Sequence, residues 1–168
     1  MFKHLALPCE GHLEQVLHIV GYLKRHKKLR LFFDSGYSTT NEKLFKKYDW
    51  FDFYGDAEEA IPTNMPEARG RGVFFTFFVD ANHGGNLKEW KSQTGVLIFV
   101  NKAPIRWYSK SQTTVEASTF GAELCAMKTT VKIIEALRYK LRMFGIPVKG
   151  TDNVYGDNKA VTNNTTIP

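Results

Sequence analysis

Three acidic residues of this 168-residue chain stand where their neighbours can present them to one site: Asp80, Glu123 and Asp157. Asp80 follows the apolar run VFFTFFV, and a carboxylate at the rim of a core is costly unless a positive group meets it. Glu123 falls in the first turns of a predicted helix, and Asp157 ends a short predicted strand. Taken singly, each has a simpler interpretation, as a turn residue, a solvated helix residue and a helix cap. Their joint placement is what favours chemistry.

Carboxylates that meet at one point repel one another, so such a cluster requires cations. Ligand sets made only of oxygen select hard ions, here Mg²⁺ or Mn²⁺. Two such ions about 4 Å apart can clamp a phosphodiester, activating water on one side and stabilising the leaving oxygen on the other. Asp80, Glu123 and Asp157 are therefore the candidate metal ligands and catalytic residues.

The elements that must position these acids follow in the order strand, strand, strand, helix, strand, helix. The first three strands are predicted at 73–80, 92–100 and 104–110, as an antiparallel meander with a turn at Asn101-Lys102 and a polar loop between the first two. A right-handed crossover then places the fourth strand beside the first and parallel to it. The carboxyl ends of these two strands lie together, and the start of the long helix can bring Glu123 over them.

The long helix is the clearest of these elements. Apolar residues recur every three or four positions from Phe120 to Phe144, which predicts about seven turns. Ser118 or Thr119 can cap its start, and Gly145 and Pro147 end it. The segment NVYGDNKAV that follows predicts a short strand and then Asp157-Asn158 as the cap of a second helix, near the end of the chain at Pro168.

The first 72 residues have a different organisation. The spacing of apolar residues over 10–30 predicts an amphipathic helix, and LRLFFD (29–34) predicts a short strand. Residues 34–72 have no long period and carry several glycines and prolines. A structureless loop of that length is uncommon inside one domain, so this stretch is predicted to connect two domains.

Charge and cysteine content limit the classes of function. The net charge is +6, and residues 73–168 hold 12 Lys and Arg against 7 Asp and Glu, which hints at a polyanionic partner. The two cysteines, Cys9 and Cys125, lie far apart, so a disulfide framework or a zinc site is not expected. Neither a signal peptide nor a membrane-spanning run is apparent, which predicts an intracellular, non-secreted chain without a membrane partner.

Residues 73–164 resemble the ribonuclease H domain of copia-type retrotransposon polyproteins. The resemblance is carried by FVDANHGG, by KSQTGVLIFVNKAPIRWYSKSQTTVEAS, by GAELCAM and by YGDNKAV. The segment GHLEQVLHIVGYLK also resembles the end of the reverse transcriptase that precedes this domain. The chain then divides into a reverse transcriptase end (1–33), a connector (34–72) and a ribonuclease H-like α/β domain with a mixed sheet (73–168).

The resemblance implies a specific activity. The family's metal ligands fall on Asp80, which would bridge two Mg²⁺ or Mn²⁺ ions, and on Glu123 and Asp157, which would each hold one side. Such a domain cuts the RNA strand of an RNA·DNA hybrid, leaving a 5′-phosphate and a 3′-hydroxyl. The implied partners are the hybrid and the rest of the Pol polyprotein, including its reverse transcriptase. The implied compartment is a cytoplasmic virus-like particle or the nucleus.

Contacts to the nucleic acid are expected from a second group of residues. Recognition of RNA requires contacts to the 2′-hydroxyl, for which Asn82, Thr119 and Asn158 are candidates. Asn82 stands where many relatives carry a second acid. Lys110, with the helix lysines Lys128 and Lys132, can follow phosphates. His83, between Asn82 and two glycines, is expected to be a loop residue.

Two alternatives to an active ribonuclease stay open. The family's fold continues with a fifth strand, a further helix and a fourth acid, which residues 73–168 lack. The chain is then either a fragment of an enzyme or a truncated, inactive remnant that at most binds nucleic acid through its basic half. A related integrase or resolvase core is the third possibility, and the Trp-Tyr-Ser-Lys block argues against it.

Overall fold

The computed structural model describes residues 9–37, 48–86 and 89–167. Their helices and strands, in chain order, are α1 (Glu10–Arg25), α2 (Phe51–Tyr54), β1 (Phe75–Asn86), β2 (Lys91–Val100), β3 (Ala103–Ser111), α3 (Thr119–Met143), β4 (Asn153–Tyr155) and α4 (Lys159–Thr166). Among the described residues, no helix combines the length and the apolar character that crossing a membrane requires. The chain divides into two compact units, with the division between Phe32 and Phe33.

The first unit contains α1, and the predicted helix is present over Glu10–Arg25. None of its side chains is buried, and the apolar residues of its predicted face are exposed. The strand predicted at 29–34 is wrong, because these residues form neither helix nor strand. A short apolar run becomes a strand only where another strand takes its backbone hydrogen bonds, and none does so here.

The second unit is a mixed α/β structure with one open four-stranded sheet. The strand order is β3-β2-β1-β4. β1, β2 and β3 form the antiparallel meander that was predicted, and β4 lies beside β1 and parallel to it. The predicted order and pairing of the four strands are thus confirmed.

One face of the sheet packs against α3. Side chains of β1 alternate, so those at 75, 77, 79 and 81 are buried towards the helix while those at 78, 80 and 82 are exposed on the opposite face. The helix presents Ala122, Ala126 and Thr130, spaced four residues apart, each with no exposed area. Small side chains at this spacing let α3 lie close to β1 and β2.

The ends of α3 follow from local chemistry. Ser118 is the N-cap, and its Oγ accepts a hydrogen bond from the Gly121 amide at 3.1 Å. Gly145 has a left-handed φ of +71° just after the helix, a conformation that favours glycine. The 25 residues of α3 give the seven turns expected.

Two strands differ in length from the prediction. β1 was expected to end at Asp80 but continues to Asn86, because β2 supplies partners beyond that point: Asp80 pairs with Gly95, and Asn82 with Gln93. The polar loop predicted from Gly85 to Trp90 is therefore wrong at its start, because Gly85 and Asn86 belong to β1. β4 is only three residues long, and Asp157 lies two residues beyond its end at Tyr155 rather than in the strand.

The predicted connector (34–72) belongs to the second unit where it is described. Residues 48–72 contain the short helix α2 and pack near the end of α3. The Arg69 amide donates to the Gly145 carbonyl at 2.7 Å, and the Val73 amide donates to that of Pro147 at 2.9 Å. This segment is therefore held to the sheet domain by its backbone.

Candidate metal centre

The parallel pairing of β1 and β4 places two of the acids. The last paired residues are Phe78 and Tyr155, and each acid lies two residues further along its own segment, Asp80 after Phe78 and Asp157 after Tyr155. Glu123, in the second turn of α3, is the third member. One carboxylate oxygen from each residue lies within 4.8 Å of the other two. We call these three residues the acid cluster.

Glu123 is held by the edge of β1 that β4 leaves unpaired. β4 pairs only with residues 76–78, so the amide of Ala81 has no β4 carbonyl to bond. It donates instead to Oε1 of Glu123, at 3.2 Å. The early end of β4 thus opens a gap at the sheet edge, and a side chain from the helix fills it.

The three carboxylates of the cluster influence one another. Burial raises the pKa of Glu123, and the nearby carboxylates of Asp80 and Asp157 raise it further, while the Ala81 amide lowers it. Asp80 and Asp157 are themselves exposed. The site is therefore open to solvent on one side, and its carboxylates disfavour the charged form of Glu123.

The donor set fits a hard divalent cation. Three carboxylates offer oxygen ligands only, which suit Mg²⁺ and Mn²⁺ and not the softer metals. Oxygens bound to one Mg²⁺ at about 2.1 Å are about 3 Å apart at adjacent positions and about 4.2 Å apart at opposite ones, so oxygens up to 4.8 Å apart would move closer together to bind one ion. The three acids could together hold a metal ion.

α4 begins two residues after Asp157, and the two residues before it, Asp157 and Asn158, have different partners. Oδ1 of Asn158 accepts hydrogen bonds from the amides of Ala160 and Val161, at 3.0 and 3.2 Å. Of the predicted cap pair Asp157-Asn158, Asn158 is thus the cap. Asp157 is left to face the other acids.

The candidates for nucleic-acid contact fall into two groups. Asn82 lies two residues after Asp80 on the same exposed face of β1, Thr119 lies one turn before Glu123 on α3, and Asn158 follows Asp157. These three adjoin the acid cluster in the chain. Lys110 is exposed on β3, which β2 separates from β1, so it does not share the edge where the acids meet.

A shallow cavity of about 330 Å³ opens on the exposed face of the sheet beside Asp80. Gly95, the register partner of Asp80 on β2, has no side chain to fill this cavity, and Phe78 and Leu97 flank it. A larger cavity of about 670 Å³ is lined mainly by residues 49–57 and contains none of the three acids. The space next to the acid cluster is therefore the smaller one.

Two polar residues of the site region were missed or assigned differently from the sequence. His83 was expected in a loop, but it lies in β1 and its Nε2 is 2.9 Å from the carbonyl oxygen of Glu116, in the segment before α3. Gln112 belongs to one of the motifs that carry the resemblance but was given no role, yet it is buried between the sheet and α3. Its sequence signal was a polar residue two positions after the strand predicted at 104–110.

Comparisons of the chain with protein-family models, with curated proteins and with solved structures found no match.

Proposed function

We propose that this chain carries a ribonuclease H-like domain that hydrolyses the RNA strand of RNA·DNA hybrids with divalent metal ions. The observation that carries the proposal is the acid cluster, in which three carboxylates from β1, α3 and the segment after β4 meet at one sheet edge. The three acids come from elements that are far apart in the chain, and the fold brings them together. This convergence favours a shared role over a chance group of surface acids. The sheet order β3-β2-β1-β4 supports the same fold assignment.

Asp80, Glu123 and Asp157 are the residues that would hold two Mg²⁺ or Mn²⁺ ions. When bound, such ions lower the pKa of water and stabilise charge on the attacking and leaving oxygens of a phosphodiester. Asp80 and Asp157, which are exposed, face the side from which substrate arrives. Glu123 is fixed by the Ala81 amide and gives the cluster one ligand of defined position.

The choice of a nucleic-acid substrate rests on charge and on the polar surface beside the acids. Residues 73–168 carry an excess of five positive charges, from 12 basic and 7 acidic residues. Asn82 continues the exposed row of β1 beyond Asp80, where its amide can bond a phosphate or a 2′-hydroxyl. The sequence motifs alone support an origin in a copia-type Pol polyprotein, with a reverse transcriptase as the neighbouring domain.

The test is cleavage of a labelled RNA·DNA hybrid by the purified chain with Mg²⁺ or Mn²⁺. Asp80→Asn removes one negative charge and keeps the shape of the side chain, so cleavage should fall by about a hundredfold or more. Asp52→Asn, at an exposed acid of α2, is the matched control and should cleave like the parent chain. Cleavage that survives Asp80→Asn unchanged would contradict the proposal.

A second candidate function is nucleic-acid binding without cleavage, which the basic half of the chain favours. The same samples separate the two functions. Hybrid binding by the parent chain with no cleavage under either metal would support the second function.

A further inference from the structure

We propose that Gln112 is a positioning residue for Glu123, an inference that rests on the proposed metal-dependent function. Gln112 follows β3 and is 9% exposed. Its Nε2 donates two hydrogen bonds, to Oγ1 of Thr94 at 3.1 Å and to the carbonyl oxygen of Ala122 at 2.8 Å. One side chain thus connects the middle of the sheet with the turn of α3 that carries Glu123.

Together with a strand pairing and the hydrogen bond of Glu123, these bonds connect five residues in a closed loop. Ala122 precedes Glu123 in the helix, and Glu123 accepts the hydrogen bond from the Ala81 amide. Ala81 in turn is the register partner of Thr94 on β2. We call these five residues the Gln112 ring: Ala81, Thr94, Gln112, Ala122 and Glu123. Every member except Glu123 is buried.

The backbone of Gln112 is itself held in place by β2. Its backbone amide donates to the carbonyl oxygen of Ser92 at 2.8 Å, and Ser92 is fully buried on β2. The two hydrogen bonds from Nε2 then link Thr94 on β2 to Ala122 in the first turn of α3. Rotation of α3 would move the Glu123 carboxylate away from Ala81.

Packing alone does not explain an amide at this position. Oε1 of Gln112 is buried and has no hydrogen-bond partner within the described part of the chain. A buried amide with one unpaired atom is costly, and an apolar side chain of the same size would avoid that cost. What the glutamine supplies and an apolar residue does not is the directional link to Ala122.

Gln112→Met tests the link with little risk of unfolding. Methionine has a similar length, and the Ala122 carbonyl keeps its helical partner four residues on. We expect Mn²⁺ to bind about tenfold more weakly, the size of effect typical when a group that orients a metal ligand is lost. Gln93→Met is the matched control, because the Gln93 side chain bonds that of Ser109 at an exposed position, at 3.0 Å, and takes no part in the Gln112 ring.

The experiment uses the full chain and two readouts. The first is the dissociation constant for Mn²⁺ by calorimetry, with Asp80→Asn as the reference for a damaged cluster. The second is hydrogen exchange of the Ala81 amide in metal-free protein, with Glu123→Ala as the reference for a lost bond. Circular dichroism confirms that each variant is folded.

The inference predicts that Gln112→Met weakens Mn²⁺ binding and moves Ala81 exchange towards the value in Glu123→Ala, while Gln93→Met changes neither. Normal Ala81 exchange in folded Gln112→Met would overturn the positioning role whether or not the metal binds. If the parent chain binds no Mn²⁺ but Ala81 exchange responds as expected, Gln112 positions Glu123 and the metal-dependent function fails. The two proposals therefore fail separately.

Discussion

Asp157 and Asn158 are adjacent in the chain and have different partners. Asn158 bonds the first amides of α4, and Asp157 joins Asp80 and Glu123. Because the cap is a neutral amide, it adds no charge of its own to the acid cluster.

The like charges predict opposite effects of Asp80→Asn with and without metal. In metal-free buffer the free energy of unfolding of the variant should be about 1 kcal/mol larger than that of the parent chain, because one repelling charge is gone. The variant should therefore melt at a higher temperature. With Mn²⁺ in large excess the order should reverse, since a ligand at a hundred times its Kd stabilises by about 2.7 kcal/mol. Thermal melts of both chains, with and without Mn²⁺, check this. Equal melting temperatures in both buffers would show that the acids neither repel nor bind metal.

At the scale of elements, a charged cluster joins the segment before β1 to the far end of α3. Arg138 and Arg142, one helical turn apart, both bond the carboxylate of Glu59, each with a contact of 2.7 Å. Arg138 also bonds Asp152 at 3.0 Å, just before β4. Burial raises the pKa of Asp152 more than Arg138 lowers it. This cluster secures the segment that leads into β4, and β4 leads to Asp157.

The pH dependence of this cluster is predictable from Glu59. Its hydrogen bonds to Arg138 and then Arg142 lower its pKa from 4.5 to about 2. A depressed carboxyl pKa stabilises the fold above the ordinary value and loses that contribution as pH falls through the lower one. Glu59→Gln should therefore destabilise the chain at neutral pH, by about 1 kcal/mol because the side chain is partly exposed.

The measurement is urea unfolding of Glu59→Gln and the parent chain at neutral pH and at about pH 3. The difference between them should shrink at the lower pH, where the parent chain begins to lose the contribution of Glu59. Glu58→Gln, at the exposed neighbouring acid, is the control and should show little difference at either pH. A difference that stays constant with pH would mean that Glu59 acts by packing.

At the scale of the whole molecule, charge and surface chemistry are unevenly arranged. The exposed face of the sheet carries an apolar row made by Tyr155, Phe78, Leu97 and Trp107 across the four strands. Tyr155 stacks on Phe78 with ring centres 5.0 Å apart. The next row contains Asp80, so the acid cluster lies at the border between apolar and polar surface.

The positive net charge predicts strongly salt-dependent binding of nucleic acid. Neutralising several phosphates releases counterions, so affinity should fall by at least about tenfold between 50 and 200 mM salt. Fluorescence anisotropy with a labelled hybrid and Asp80→Asn in metal-free buffer measures binding without cleavage. Lys128→Gln, at an exposed position of α3, should reduce the slope of log affinity against log salt if that lysine contacts a phosphate. Affinity independent of salt would rule out a phosphate-backbone interface.

Much of the second unit could be predicted from local patterns. Apolar periodicity identified α3 and the first three strands, Ser118 and Gly145 marked the helix ends, and chain order led to the β1–β4 pairing. The prediction of strands failed where strand formation depends on a neighbouring strand. Residues 29–34 are apolar enough for a strand but have no neighbouring strand, whereas residues 82–86 are polar or glycine and form one because β2 continues beside them.

The sequence by itself determined the order of the elements and the three acids, because caps, periodicity and crossover handedness act over short stretches or obey general rules. Only the tertiary structure decided how these acids are held. Glu123 bonds the Ala81 amide because β4 is short, and Gln112 reaches Ala122 because α3 packs closely on β2. Glu59 meets Arg138 from 79 residues away. Such contacts depend on the relative placement of packed elements, to which no local pattern corresponds.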